Sequence, residues 1–235
     1  SSPNAIKKAL QRLRAKNKIL KIRNGFYVII PPEYSATGAL PTLNYIAALM
    51  KFLKRDYYIG LYSAAALHGA SHQQPQSFCV VTKYPYLRDI KDKKINIHFT
   101  IKKGWEKKDI LEKKTDTGYI KVSSPELTAL DLMLFQNNVG GLNRVATILD
   151  ELSESISPEQ MEIAANRYGR IATVQRLGFM FENVLQKDGI TGPLFSWFKE
   201  KSSYPVFLKA GKKTKKMHFD NRWKVIKNFS PESDL

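Results

Sequence analysis

Lys18-Ile19-Leu20-Lys21-Ile22-Arg23-Asn24-Gly25-Phe26-Tyr27-Val28-Ile29-Ile30-Pro31-Pro32 reads as two β-rich runs around an Asn-Gly pair, closed by prolines. Asn-Gly between such runs is a strong hairpin signal, because both residues tolerate positive φ. Leu20 and Ile22 alternate with Lys21 and Arg23, which predicts one apolar and one cationic face. Working back toward the N-terminus, residues 3–16 read as a helix. Pro3 suits a first turn and Asn4 is a candidate cap. Ile6, Ala9, Leu10 and Leu13 recur at the spacing of one buried stripe, while Lys7, Lys8, Gln11, Arg12 and Arg14 fill the remaining surface. Lys16-Asn17-Lys18 breaks the pattern.

A basic helix followed at once by a basic hairpin is the second half of a winged helix-turn-helix. The helix, with Asn4, Lys7, Lys8, Gln11, Arg12, Arg14 and Lys16, would enter the major groove, where its Asn, Gln and Arg side chains can pair with base edges. Lys21, Arg23 and the Asn24-Gly25 amides of the hairpin would lie along the backbone. Two earlier helices that complete such a domain do not precede this one, so the module is partial and the chain is expected to start inside it. Helix and hairpin must then borrow a core from later residues. Residues 1–32 hold eight basic side chains and no acidic one, the footprint of a phosphate-binding surface. The simpler alternative is an α-β-β piece with a solvated charged face.

The whole chain has 235 residues, 43% hydrophobic and 25% charged, which suits a globular protein of about two domains. Its 38 Lys and Arg outnumber 21 Asp and Glu, for a net charge of +17 that argues for an anionic partner. The excess also sits at 83–114 and 199–227, around an acidic middle. One cysteine, Cys79, cannot form an internal disulfide, which fits a reducing compartment. Phe26–Pro32, among the longest apolar stretches, is far short of a membrane span, and no signal-peptide pattern opens the chain. A cytoplasmic location is expected.

Glu33–Pro41 reads as a linker, so the expected domains are 1–32, the 33–41 linker and a body over 42–235. In the body, 42–53 and 61–68 read as helices, 57–60 is ambiguous, and 77–82, 94–101 and 119–122 read as strands. Ser124-Pro125-Glu126 is a helix start, Gly140-Gly141 a helix stop, and Ser157-Pro158-Glu159-Gln160 a capping box. Helices are expected over 142–152 and 171–185, an aromatic helix over 194–198 and a strand over 206–208. The fold class is α+β: a partial winged helix-turn-helix, then a mixed domain with a small sheet and a helical bundle.

Candidate chemistry is sparse. His68 and His72 have the spacing of two ligands on one helix face, yet Gly69 interrupts it and a capping histidine is the better reading. Glu112-Lys113-Lys114 with Asp109 could form half of a nuclease-type site in a Lys-rich loop, the basis of an alternative reading as a metal-dependent nucleic-acid-processing enzyme. Such a match is common by chance, and no nucleophile stands with a nearby base. No metal, cofactor or catalytic residue is assigned. Lys212, Lys213, Lys215 and Lys216, near Phe207, Phe219 and Trp223, form a secondary basic surface that could track single strands, with a solvated turn as the simpler reading. Trp105 among Lys102, Lys103, Lys107 and Lys108 poses the same choice.

The ordered set of motifs resembles the AbiEi-type antitoxins of bacterial type IV toxin–antitoxin (abortive infection) systems. It runs from Arg23-Asn24-Gly25-Phe26-Tyr27 through Ser63-Ala64-Ala65-Ala66-Leu67-His68-Gly69 to Val122-Ser123-Ser124-Pro125-Glu126-Leu127-Thr128-Ala129-Leu130-Asp131. Gly140-Gly141-Leu142, Arg176-Leu177-Gly178-Phe179 and Asn221-Arg222-Trp223-Lys224-Val225 complete it. The resemblance implies a winged helix ahead of a larger α+β domain, and a transcriptional repressor that binds inverted repeats in its own promoter. It also implies an antitoxin, not an enzyme, opposing a nucleotidyltransferase-like toxin without a stable complex.

Overall fold

A computed structural model describes residues 2–70, 76–211 and 218–231. The chain forms two compact units: Ser1–Ile59 with Gln76–Gly104 and Glu112–Lys121, and Gly60–Pro75 with Trp105–Leu111 and Val122–Leu235. The mixed α+β class holds in both.

The first unit opens with helix α1 (Pro3–Ala15). Its cap is Ser2, whose Oγ accepts from the Ala5 amide at 3.3 Å, and not Asn4; with proline at the first helical position, the residue before it is the one in cap geometry. Asn17 ends the helix at φ 51°, with the Lys18 amide bonded to the Leu13 carbonyl and the Asn17 amide to Arg14. This left-handed stop turns the chain straight into strand β1 (Ile19–Arg23). Strand β2 (Phe26–Ile29) returns antiparallel, with Lys21 opposite Tyr27 and Arg23 opposite Phe26. Ile22 is the extra residue of a bulge. The bulge supplies the twist, so only Gly25, at φ 80°, takes the left-handed conformation expected of both turn residues.

The hairpin does borrow its core from later residues. Ile22 and Ile30 are buried, and the Phe26 ring lies 5.3 Å from Phe52 at the end of helix α2 (Ile46–Phe52). Helix α2 is shorter than its sequence pattern because Thr42–Asn44 takes a tighter 3-10 turn. The unit's sheet has six strands, larger than the expected small sheet, in the order β5-β6-β4-β3-β8-β7. They are β3 (Tyr57–Ile59), β4 (Phe78–Thr82), β5 (Ile90–Asp92), β6 (Ile95–Ile101), β7 (Ile110–Thr115) and β8 (Gly118–Ser123). Tyr57-Tyr58-Ile59 is thus a strand, all three residues buried, antiparallel to β4. Central β4 runs parallel to β6 and buries Val80 and Val81 completely. Edge strands β5 and β7 went unread as strands because they are short or charged (Ile-Lys-Asp and Ile-Leu-Glu-Lys-Lys-Thr), a composition that also deters edge-to-edge pairing.

The second unit is helical: α3 (Leu61–Leu67), α4 (Pro125–Leu134), α5 (Leu142–Leu152), α6 (Pro158–Tyr168), α7 (Ile171–Phe179) and α8 (Thr191–Lys199). A three-stranded sheet joins it, ordered β10-β11-β9, from β9 (Val206–Phe207), β10 (His218–Asp220) and β11 (Val225–Lys227). Helix α4 is buried on most of its circumference rather than along one stripe, and carries Glu126, Thr128 and Asp131 inward with its leucines. These polar groups are compensated. Tyr168 donates to Asp131 at 3.0 Å, Ser123 and Thr128 hydroxyls share a 2.7 Å bond, and Glu126 accepts from the Ser157 amide. That last bond gives the cap of α6 from a distant carboxylate, where a local capping box was expected; Ser157 itself accepts from the Gln160 amide.

Two family-like stretches meet in this unit. Gly178, inside α7, faces the fully buried Trp223, whose ring stacks on Phe198 at 5.4 Å and meets Phe195 edge-on. After Phe179 the helix widens into a π-helical turn, Met180–Val184, which presents Glu182 to the Trp223 Nε1 donor at 2.7 Å and to Arg222. Gln175 Nε2 donates to the Trp223 and Tyr204 carbonyls, and the half-buried Arg176 donates to Phe207. Burial lowers the pKa of that guanidinium.

Candidate nucleic-acid interface

Helix α1 advances 100° per residue, which places Asn4, Lys7, Lys8, Gln11, Arg12 and Arg14 within an arc of about 160°. All six are exposed. Lys16, at the cap, is exposed beyond the last turn. Among the described residues, none of the eight cations between 1 and 32 forms an ion pair with a carboxylate. The arc is therefore a cationic and amide-bearing surface with its charges unspent, the type of face that exchanges counterions for phosphates.

The hairpin is placed differently. Asn24 and Gly25 form its exposed tip, but Lys21 and Arg23 are half-buried. The bulge at Ile22 breaks the two-residue alternation, so the expected clean division into apolar and cationic faces does not occur. Arg23 Nη1 is inaccessible and has no hydrogen-bond partner among the described residues.

The opposite side of α1 departs from its sequence pattern too. No residue of the helix is buried; Ile6 and Leu13 are 51% and 41% exposed, and Leu10 is half-buried. A stripe predicted to be buried is thus covered only in part, at Leu10, and no residue of it reaches full burial.

His68 Nε2 bonds the Ser123 carbonyl at 2.8 Å at the end of α3. His72 and the expected secondary basic surface at Lys212, Lys213, Lys215 and Lys216 lie outside the described residues. Trp223 is core, whereas Phe219 is 46% exposed. Lys102 is buried beside Tyr58, and Trp105 is half-buried. Asp109 is nearly buried and bonded by Arg167 at 2.6 Å, so its carboxylate is engaged by a fixed cation. Glu112-Lys113-Lys114 lies on β7, not in a loop, because pairing with β8 carries the strand through the charged run. Among the described residues, no three His, Cys, Asp or Glu side chains gather as a metal site, and no helix is long and apolar enough to cross a membrane. Sequence reasoning missed Lys51, Lys54, Arg55, Lys83 and Lys121 as one group, since single cations spread along the chain give no local signal.

A family model described as the AbiEi antitoxin C-terminal domain matches residues 58–183. No curated protein matches the chain. Among solved structures, the crystal structure of the RV2827C protein from Mycobacterium tuberculosis is similar, at TM-score 0.64 and 15% identity, over 94% of this chain and 78% of that one. That likeness speaks for the fold, mixed α+β along nearly the whole chain.

Proposed function

This chain belongs to the AbiEi antitoxin family, the antitoxins of type IV toxin–antitoxin systems, and from that premise we propose that it also represses its own promoter as a DNA-binding protein. Residues 1–32 act as the DNA-contacting part of a winged helix-turn-helix, 33–41 as its linker and 42–235 as the antitoxin body. Helix α1 lies in the major groove of an inverted repeat: Asn4, Gln11 and Arg12 read base edges, and Lys7, Lys8, Arg14 and Lys16 hold phosphates. Lys21, Arg23, Asn24 and Gly25 follow the backbone from the hairpin. The body opposes a nucleotidyltransferase-like toxin without a lasting complex, and the chain itself is not an enzyme.

The observation that supports this reading is the single exposed arc of α1, six polar side chains on one side with no carboxylate among them. Titration of a labelled promoter fragment tests it. Arg12→Ala should cost about 1–3 kcal/mol and relax specificity at one base pair. Lys7→Ala should weaken every sequence alike and flatten the salt slope by about 0.9. Unchanged affinity in both variants removes α1 from DNA recognition. The antitoxin role is tested by growth rescue when the chain is co-expressed with the toxin, and its failure would refute it.

A further inference from the structure

The first unit carries a second cationic surface, made from residues far apart in sequence. Two open clefts share Lys51 and Arg55 as a common wall. Lys54, Asp56, Lys83 and Tyr84 line one cleft; Glu112, Tyr119 and Lys121 line the other. Five cations thus face two carboxylates. Lys83 and Asp56 pair at 3.3 Å, leaving an excess of positive charge along the trough.

Two tyrosines distinguish this trough from an ordinary solvated face. Tyr84 is 70% exposed and Tyr119 is 63% exposed, one in each cleft. A lone exposed ring is ordinary, whereas two rings set among an excess of cations are the combination that nucleic-acid surfaces use. Tyr84 is also held in place: Arg55 donates to the Tyr84 carbonyl at 3.1 Å and to that of Pro85, which fixes the loop after β4. The base of the trough is firm, since Thr82 Oγ1 bonds the Asp56 carbonyl at 2.8 Å between β4 and the segment before β3.

We infer that this trough binds single-stranded nucleic acid, with Tyr84 and Tyr119 as stacking platforms and Lys51, Lys54 and Lys121 along the phosphates. Exposed rings beside cations fit unpaired bases, whose faces are free to stack, better than a duplex or an acidic polypeptide. Arg55 is a positioning residue: its guanidinium holds the Tyr84 loop. The site is independent of α1 and of the promoter reading.

Fluorescence anisotropy of the full chain with labelled twelve-nucleotide oligo(U) and oligo(dT) tests the inference, the two arms separating RNA from DNA as the source. Salt-dependent binding of either strand is expected. Tyr84→Ala combined with Tyr119→Ala should weaken it about tenfold or more, while Tyr84→Phe with Tyr119→Phe retains it because the rings remain. Lys51→Gln with Lys54→Gln should flatten the salt slope by about 1.4. Thermal melting checks that each variant is folded. No binding, binding indifferent to folded tyrosine-to-alanine variants, or equal binding of poly-glutamate would overturn the proposal.

Discussion

Gly178→Ala places one methyl group where the second unit has no room. An ideal Cβ at residue 178 would lie 2.5 Å from ring carbons of Trp223. Ordinary carbon contacts lie about 3.5–4.0 Å apart, so the ring or the helix must move by about 1 Å. The ring has little freedom to do so: it is fully buried, bonded through Nε1 to Glu182, stacked on Phe198 and met by Phe195. A clash this close against a fixed ring belongs in the upper part of the overpacking range, about 2–3 kcal/mol. Alanine returns up to about 1 kcal/mol through helix propensity, leaving a net loss of about 1–2 kcal/mol. For a chain of this size that lowers Tm by about 2–8 °C. Melting followed by tryptophan fluorescence reads it, because Trp223 and Trp197 are both in this unit. Gly189→Ala is the internal control: nothing lies within 4 Å of its added Cβ, φ is unexceptional, and the expected change is near zero or slightly stabilising. A Gly178→Ala protein that melts at or above the parent temperature refutes the packing argument.

Two further outcomes follow from the buried polar groups. Arg167→Ala strands the nearly buried Asp109 carboxylate and should cost about 3 kcal/mol by denaturant titration, with Asp109→Asn in the same chain recovering part of the loss. Burial raises the pKa of Tyr45 and of Tyr57, and burial together with the Asp131 carboxylate raises Tyr168. The folded phenols therefore keep protons that the unfolded chain gives up, so their contribution is complete below about pH 10 and lost as pH climbs beyond it. Spectrophotometric titration of the 11 tyrosines should show Tyr45, Tyr57 and Tyr168 among a late-ionising group; smooth titration of all below the alkaline transition would contradict the burial assignment.

Much of this was legible in the sequence where local chemistry decides. Ser124-Pro125 and Ser157-Pro158 marked helix starts because capping and the proline at the first position act within four residues. Asn24-Gly25 located the hairpin, although the bulge at Ile22 altered how its turn is made. Edge strands β5 and β7 escaped because their identity comes from pairing with β6 and β8, not from their own composition. The apolar stripe of α1 is only partly covered, since periodicity shows which side is apolar and not whether anything packs on it. The basic arc of α1 could be read directly, as one helix carries all of it. The trough around Lys51 could not, because it is assembled from α2 and its following loop, the end of β4 and strand β8.

Trp223 has one more implication, for the order in which the protein is made. Helix α7 and the π-helical turn are synthesised before Trp223, yet the space beside Gly178 is unfilled and Glu182 lacks its indole donor until that residue arrives. A nascent chain halted before position 223 would carry these helices around a space sized for an indole, with a carboxylate facing it. Final packing of this unit thus waits on a residue made about forty positions after its own helix.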